Sequence, residues 1–416
     1  MAEPDTFRFR DVVVAAFAPT VVNGIGHAAI MPVLALVARD LGATVGEAAF
    51  VVALLGVGSL LTSLPAGALV ARVGERRALA GAGVVDAAAM VLAAMSTSLA
   101  MLAVAVLLSG ASWSVFLLAR QGFLIVVTPL HLRARAMSAL GGSHRVGAFV
   151  GPTLGAFLLG GTGSLRSVFW LAAAMALLST VIILAVRDLT GGVPRARSGR
   201  TGSPPVPMPT LRGVLSEHRR VLVTVGSAVV VIGMARSLRA TVLPLWADHV
   251  GISAEATSLV FGLSALVEIT LVYPAGWTMD RLGRTVVAVP VVGLIGLGVA
   301  LLPLAQGLPV FAALAVLMAV GNGMGSGIVM TLGADTAPVS GRAQYLGGWR
   351  LAGDVGTTAG PLLVTVLAAV VPLAAACVAT GAVCLGGTLW VRHQVGRAEQ
   401  RRRAGEAGLR AAGSAS

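Results

Sequence analysis

The chain has 416 residues, of which 56% are hydrophobic and only 11% are charged. Soluble globular domains normally carry about 25% charged residues, so this composition excludes a water-soluble globule and indicates a membrane protein. All 30 basic side chains are arginine, and the formal net charge is +13. The two cysteines, Cys377 and Cys384, are expected to be small apolar residues that form neither a disulfide nor a metal site.

Apolar runs recur along the chain, each long enough to cross about 30 Å of hydrocarbon. The first run is too long for a signal-peptide core, and no small-residue cleavage site follows it, so we keep it as helix 1. The predicted fold class is an all-α integral membrane protein with twelve transmembrane helices. We place them, with ends good to about four residues, at about 12–38, 48–70, 78–95, 99–119, 138–160, 167–186, 221–247, 256–279, 285–304, 308–333, 345–370 and 373–391.

The arginines predict the orientation, because cytoplasmic helix ends retain excess positive charge during insertion. The ends on the side of both termini carry most of them, including Arg72–Arg77 and Arg401–Arg403, whereas the opposite ends carry only Arg39 and Arg166. We therefore expect a multi-pass protein of the cell (inner or plasma) membrane with both termini in the cytoplasm. This topology accounts for the net charge, so no nucleic-acid partner is expected.

Segment 187–220 is rich in Gly, Pro, Ser and Arg and is predicted to be a flexible cytoplasmic linker. It would join six-helix bundles at 1–186 and 221–391, the second followed by a basic tail at 392–416. A shift of 209 residues (276 minus 67) indicates an internal repeat, a mark of transporters. Without a gap it superimposes Gly67 on Gly276, Arg72 on Arg281, Gly74 on Gly283, Pro129 on Pro338, Arg133 on Arg342, Gly147 on Gly356, Gly151 on Gly360 and Pro152 on Pro361.

Two motifs carry a family resemblance that covers essentially the whole chain. GWTMDRLGR (276–284) resembles the loop signature Gly-x-x-x-Asp-Arg-x-Gly-Arg of the major facilitator superfamily. GAFVGPTLG (147–155) is similar to the helix 5 motif Gly-x-x-x-Gly-Pro-x-x-Gly that the family associates with antiporters. The first-half loop departs from the signature at Ala71, and RQG (120–122) only approximates the helix 4 motif Arg-x-x-Gln-Gly. The resemblance implies two pseudo-symmetric bundles, with predicted helices 1, 4, 7 and 10 lining a cavity.

The loop motif predicts a conformational latch, because a helix C-terminus disfavours Asp280 unless that carboxylate finds a partner. The implied partner is the N-terminus of predicted helix 5 with Arg135 and Arg145, reached in one conformation and lost in the other. Arg281 and Arg284 suit the last carbonyls of predicted helix 8. A topology signal without gating is the alternative, and simple packing explains the helix 5 glycines as well as gating does. The candidate gating residues are Arg72, Gly74, Arg145, Gly147, Gly151, Pro152, Gly276, Asp280, Arg281, Gly283, Arg284, Arg350, Gly356, Gly360 and Pro361.

Ionisable residues inside a membrane are costly and mark candidate functional sites. His27, Arg236 and Glu268 fall near mid-depth, and Asn23 and Arg239 share helix faces with His27 and Arg236 respectively. His27 is either a satisfied polar residue or a proton carrier. Glu268 either titrates as Arg236 approaches and leaves it, or forms a fixed ion pair with Arg236. Nearer the cytoplasm we place Asp86, Arg120, His144, Arg145, Arg350 and Asp354.

Structural pairing is an alternative to function for several of these groups, and Arg350 and Asp354, four residues apart, are positioned to neutralise each other. The stretch GNGMGSG (321–327) predicts a deformable helix or a close crossing. The 209-residue shift places Trp113 on Asn322, which makes Trp113 either a cavity-wall residue or an ordinary lipid-facing or packed tryptophan. The candidate substrate-cavity residues are Asn23, His27, Trp113, Arg120, Arg236, Arg239 and Asn322, and the candidate proton-coupling residues are Glu268, Asp354 and Asp86.

Three functions from different classes remain open. The first is a secondary exporter that exchanges protons for a small amphipathic or anionic organic compound. The second is an importer of organic anions, motivated by five buried arginines, and the third is a membrane enzyme or sensor without transport. Walker and His-Glu-x-x-His sequences are absent, so we expect no enzyme, no cofactor and no metal, with energy from an ion gradient. The expected partners are a small-molecule substrate, protons and the lipid bilayer, and we expect a monomer.

Overall fold

The computed structural model describes residues 9–128, 133–186, 211–338 and 342–413. This described part is helical and contains no β-strand, which confirms the predicted all-α fold class. Its helices are α1 (Phe9–Ile30), α2 (Leu34–Asp40), α3 (Val45–Val73), α4 (Glu75–Ala94), α5 (Leu99–Val127), α6 (Arg133–Thr162), α7 (Arg166–Ala185), α8 (Leu211–Glu217), α9 (Arg219–His249), α10 (Ala254–Leu282), α11 (Thr285–Leu301), α12 (Leu308–Met324), α13 (Ile328–Thr336), α14 (Arg342–Ala368) and α15 (Leu373–Gly413).

Within the described ranges, 10 helices are long and apolar enough to cross a membrane, or 11 if one bent pair counts as a single span. The bent pair is α1 and α2, which meet at an angle of 41° and together form predicted helix 1. Pro32 lies in the break between them and cannot donate the helical hydrogen bond there. Predicted helix 5 is α6, whose 30 residues also suffice to cross a bilayer, although its glycines and polar residues lower its hydropathy.

Predicted helix 10 is interrupted at the glycine-rich stretch. Helix α12 ends at Met324 and α13 begins at Ile328, with Gly327 between them at a φ of 83°. Upstream of the break, a Cβ added to Gly323 would lie 2.9 Å from the Cα of Glu268. The stretch GNGMGSG therefore forms a close crossing, one of its two interpretations, and it also contains a break in the helix that the sequence did not predict.

The chain divides into two compact units. Unit 1 consists of Met1–Ala43, Leu54–Pro204 and Ala254–Gly262, and unit 2 consists of Thr44–Ala53, Pro205–Ser253 and Leu263–Ser416. The internal repeat is visible in the helix boundaries: the 209-residue shift carries α3 onto α10 at both ends, since 254 minus 45 and 282 minus 73 are both 209. It likewise carries α5 onto the combined length of α12 and α13.

Glycines allow equivalent helices to cross at backbone contact in each unit. In unit 1, α6 packs against α1, where a Cβ on Gly147 would lie 2.7 Å from the carbonyl carbon of Gly24 and one on Gly151 would overlap a backbone oxygen of α1. In unit 2, α14 packs against α9, where a Cβ on Gly360 would lie 2.7 Å from the Met234 oxygen and one on Gly356 would overlap another carbonyl. The packing explanation of these glycines is confirmed, and their gating role stays a prediction.

Two segments differ from the sequence expectation. Residues 187–210 of the predicted linker lie outside the described residues. The rest of it forms α8 and the start of α9, which meet at His218. Packing stabilises this part, since Val214 is buried and the His218 ring packs edge-on against Tyr345 with centroids 5.8 Å apart. The last helix, α15, does not end near residue 391 but continues to Gly413. Arginine and alanine, which favour helix, make up half of this extension and outweigh its four glycines.

Candidate functional site

An aromatic cluster in unit 1, consisting of His27, Trp113, Phe116 and His144, joins α1, α5 and α6. The rings of His27 and Trp113 stack with centroids 4.2 Å apart and an interplanar angle of 8°. His144 lies on Trp113 at 5.4 Å, tilted by 43°, and Phe116 lies 6.3 Å from it. Asn23 is buried on α1, one turn before His27. The structure therefore brings together two of the predicted cavity residues, His27 and Trp113, and adds Phe116 and His144.

Arg120, also predicted to line the cavity, lies two turns beyond Trp113 on the same helix. Its side chain is buried, and its guanidinium carbon lies 6.0 Å from the centroid of the Phe116 ring. This distance is at the limit of a cation–π contact, so Arg120 extends the aromatic cluster rather than forming a separate site.

An ion-pair cluster in unit 2, consisting of Arg236, Arg239, Glu268 and Asn322, joins α9, α10 and α12. Arg239 Nη2 lies 2.7 Å from Glu268 Oε1, and each side chain is only 12% exposed. Arg236 Nε donates a hydrogen bond of 2.7 Å to Asn322 Oδ1. The sequence named Arg236 as the partner of Glu268, whereas the ion pair seen is with Arg239, nearly one turn further along α9.

The internal repeat relates these two clusters at their most important contact. The 209-residue shift carries His27 onto Arg236 (236 minus 27) and Trp113 onto Asn322 (322 minus 113). Both equivalent pairs are in contact, as stacked rings in unit 1 and as a hydrogen bond in unit 2. Trp113 is therefore a half-buried residue stacked on His27, at a position whose repeat copy is a polar side chain, and its place in a cavity wall stays a prediction.

A serine–aspartate cluster, consisting of Asp86, Ser109 and Ser112, lies between α4 and α5 in unit 1. Asp86 Oδ1 accepts hydrogen bonds from Ser109 Oγ at 2.7 Å and from Ser112 Oγ at 3.5 Å, and all three residues are buried. The sequence placed Asp86 toward the cytoplasmic end. Asp86 lies eleven residues from the start of α4 and eight from its end, and its depth in the membrane stays a prediction.

A loop cluster, consisting of Arg284, Thr285, Asp335 and Glu399, ties the loop motif to two helices of unit 2. Arg284 pairs with Asp335 at 2.9 Å and donates to the Met279 carbonyl at 2.9 Å, so its expected contact with the end of α10 is confirmed. Glu399, on the extension of α15, accepts from Thr285 N at 3.3 Å and from Thr285 Oγ1 at 2.9 Å. A cavity of about 30 Å³ beside these residues has room for little more than a water molecule.

Gly283 makes the loop cluster possible. Its φ is 104°, in the left-handed region that favours glycine, and a Cβ there would overlap the Glu399 carboxylate. Its repeat copy, Gly74, has a φ of 88°. Next to it in unit 1, Arg76 donates to the Ile183, Leu184 and Val186 carbonyls and so stabilises the end of α7.

The remaining residues of the loop motif have few contacts. Asp280 is exposed, and within the described ranges no residue forms a hydrogen bond or ion pair with it. The Arg135 side chain, one of its expected partners, lies outside the described residues. Arg281 covers the Trp277 ring at 4.7 Å instead of reaching the last carbonyls of α10. Arg72 is exposed as well, and Gly276 is half-buried. The latch stays a prediction.

The other predicted gating and coupling residues are distributed along α6 and α14. Pro152 and Pro361 lie inside these helices at equivalent positions. Arg145 and Asp354 are half-buried. Arg350 forms no ion pair with any described residue, so the expected neutralisation between Arg350 and Asp354 is not formed in this structure.

The hydroxyl partners of Asp86 were not predicted from the sequence, and neither were Asp335 and Glu399. Serine at Ser109 and Ser112 is unremarkable in a membrane helix, and Glu399 lies in a segment whose charge is mainly basic. The one available signal for the serines was their spacing of three, which places both on one face of α5.

The repeat, the spans and the charged clusters define a helical multi-pass membrane protein with a duplicated fold. The family profile of the Major Facilitator Superfamily matches residues 17–229 and 225–414. The chain therefore belongs to the Major Facilitator Superfamily.

Similar proteins agree with this membership. Two uncharacterized MFS-type transporters of Mycobacterium tuberculosis, from strains CDC 1551 and H37Rv, are each 29% identical over 262 residues, which cover 56% of this chain and 57% of the relative. The match thus spans little more than half the length of these relatives. A crystal structure of the peptide transporter POT in complex with sulfate has a TM-score of 0.76 at 15% identity and covers 96% of each chain. The human organic anion transporter MFSD10 (TETRAN) has a TM-score of 0.61 at 16% identity, covering 92% of this chain and 99% of its own. At such identities these structures show the fold alone.

Proposed function

We propose that this chain is a secondary active transporter that exports a small amphipathic organic compound in exchange for protons. Membership of the Major Facilitator Superfamily supports transport. The helix 5 motif on α6, with Gly147 and Gly151 at backbone contact with α1, supports exchange, since the motif resembles one associated with antiporters.

The observation that carries the proposal is the ion pair between Arg239 and Glu268. A carboxylate held 2.7 Å from one arginine, with both side chains 12% exposed, has three available partners: the arginine, a proton, or a cationic or hydrogen-bond-donating group of a substrate. Proton and substrate then compete for the same Glu268 oxygens. Competition for one site makes their binding mutually exclusive, and this is the requirement of an antiporter.

The same ion pair supports a second candidate function, the import of an organic anion together with a proton. An anion bound by Arg236 and Arg239 would displace Glu268 from Arg239 and leave its carboxylate free to take up a proton. Anion and proton would then bind together. The charge of the substrate therefore determines the sign of the coupling, and an anionic substrate belongs with this second candidate.

Purified protein in proteoliposomes tests both candidates. The membrane potential is clamped with valinomycin and equal potassium, and a gradient of about one pH unit is imposed. Tetraphenylphosphonium serves as the amphipathic cation and naphthalenesulfonate as an anion that cannot cross as a neutral acid. Exchange predicts that the cation accumulates on the acidic side, whereas symport predicts that the anion accumulates on the alkaline side.

Glu268→Gln is the decisive variant, because it keeps the shape and one acceptor oxygen but removes the titration. We expect loss of gradient-driven accumulation with survival of downhill exchange. The control is Asp40→Asn, since Asp40 is an exposed carboxylate at the end of α2. Gradient-driven accumulation by a folded Glu268→Gln protein would show that another group carries the proton.

A further inference from the structure

Asp86 is a buried carboxylate whose hydrogen bonds all reach one oxygen. Ser109 and Ser112 both donate to Oδ1, and Ser112 also donates to the Ser109 carbonyl at 3.1 Å. Among the described residues, no donor reaches Oδ2. This arrangement suits a neutral carboxylic acid, in which one oxygen accepts hydrogen bonds and the other bears the proton.

No cation compensates this carboxylate in the described part of the chain. Helices α5 and α7 pack against α4, and Asp86 forms no ion pair with either. Along α5 the nearest charge is Arg120, eight residues beyond Ser112 and so about 12 Å along the helix. The charged residues on the three helices are Glu75, Arg76, Arg77 and Asp86 on α4, Arg120 on α5, and Arg166 on α7.

The repeat shows that the fold does not need a charge at this crossing. The shift of 209 residues carries Asp86 onto Ile295, Ser109 onto Met318 and Ser112 onto Gly321. Ile295 and Met318 are both fully buried, and a Cβ on Gly321 would lie 3.4 Å from Ile295. Unit 2 therefore builds the same crossing from apolar groups, and the carboxylate of unit 1 has no structural counterpart.

We propose that Asp86 is a second proton-binding site of this transporter. A proton from water adds to Oδ2, while the Ser109 hydroxyl continues to donate to Oδ1. Glu268 is ion-paired with Arg239 in this conformation, whereas for Asp86 a proton is the charge partner within reach. This inference rests on the proposed proton exchange, to which it adds a second proton per cycle. That proton is exchanged only in cycles in which proton and substrate compete at Glu268, so Glu268→Gln still abolishes gradient-driven accumulation whereas Asp86→Asn only reduces it.

Helix α5 links this site to the aromatic cluster. Ser112 immediately precedes Trp113, so one turn of α5 presents hydroxyls to Asp86 and an indole ring to His27. Ionisation of Asp86 strengthens the pull on both serines, since hydrogen bonds to a charged acceptor are roughly twice as strong as neutral ones. A proton on Asp86 thus biases the position of α5 and of the ring stacked on α1.

Infrared difference spectroscopy of the purified protein tests proton binding without any transport measurement. We expect a carbonyl stretch of a protonated carboxyl that disappears as the pH rises. It should be absent in Asp86→Asn and retained in Asp40→Asn. In Ser109→Ala the band should persist at a shifted frequency, because the hydrogen bond to Oδ1 is lost. A wild-type spectrum unchanged by Asp86→Asn would overturn the proposal.

Proteoliposomes then test whether this proton is transported. With a gradient of one pH unit and no membrane potential, each exchanged proton supports about tenfold accumulation. We expect about 100-fold accumulation of tetraphenylphosphonium by the wild type and about tenfold by Asp86→Asn. Equal accumulation by the two proteins would refute the second proton. No accumulation by the wild type would instead refute the proposed exchange, and the infrared band would still decide whether Asp86 binds a proton.

Discussion

Removing one partner of the Arg239–Glu268 ion pair should destabilise the protein more than removing both. The two charges lie 2.7 Å apart with 12% of each side chain exposed, so a single substitution leaves the other charge in a poorly solvated position. Breaking a buried pair in this way costs about 3–5 kcal/mol, whereas replacing both partners by neutral groups costs far less. We therefore expect Arg239→Gln and Glu268→Gln each to cost about 3 kcal/mol or more, and the double variant to recover most of the loss.

The assay is the free energy of unfolding in mild detergent, titrated with a denaturing detergent, for the wild type, both single variants and the double variant. The cycle Arg236→Gln with Asn322→Ala is the matched comparison, because a hydrogen bond to a charged group contributes only about 1.5–3 kcal/mol. If the Arg239 and Glu268 effects added to within about 0.5 kcal/mol, the two residues would be energetically independent and the coupling argument would fail.

Three further substitutions have clear expectations. Glu399→Ala should remove about 1–2 kcal/mol of capping at the start of α11. Tryptic cleavage at the arginines that follow Glu399 should then rise about 5–30-fold. The control is Gln400→Ala at the exposed neighbouring residue, which should leave the cleavage rate unchanged. Gly151→Leu should prevent α6 from approaching α1 and lower the unfolding free energy by at least about 3 kcal/mol, while Gly141→Leu on the same helix, where a Cβ meets nothing within 4 Å, should be neutral or stabilising. Asp280→Asn should reduce transport rates several-fold. Because Asp280 is exposed, the same substitution should change the unfolding free energy by less than about 0.5 kcal/mol. A normal transport rate in this variant would refute the predicted latch.

Helix positions and the duplication were predictable because both depend on patterns in the linear amino-acid sequence. Long apolar runs report transmembrane helices directly. The eight matched residues at a constant offset predicted helices that now superimpose at both ends, as α3 and α10 do. The extension of α15 was missed because its apolar run ends near residue 391, although its helix-forming composition continues to Gly413.

Pairing between helices was less predictable, because it depends on helix rotation and depth. Arg236 and Arg239 lie on the same side of α9, and the sequence does not determine which of them reaches Glu268. The close approach of α12 at Gly323 helps to fix where α10 presents that carboxylate. The depth of Asp86 stays a prediction for a related reason: a shift of three residues in the start of a helix such as α4 moves a side chain by about 4.5 Å along the helix axis.

Both residues of one contact differ between the two repeat copies. His27 and Trp113 form the contact in unit 1, and Arg236 and Asn322 form it in unit 2. Each pair is satisfied inside its own unit, so a change in one copy requires compensation only from its direct neighbour. Duplication thus supplies two copies of this contact that selection can alter one at a time, and both belong to the candidate substrate cavity. For laboratory evolution, the economical library randomises His27 with Trp113, or Arg236 with Asn322, as linked couples. The double substitution His27→Arg with Trp113→Asn would test whether unit 1 tolerates the hydrogen-bonded pair of unit 2.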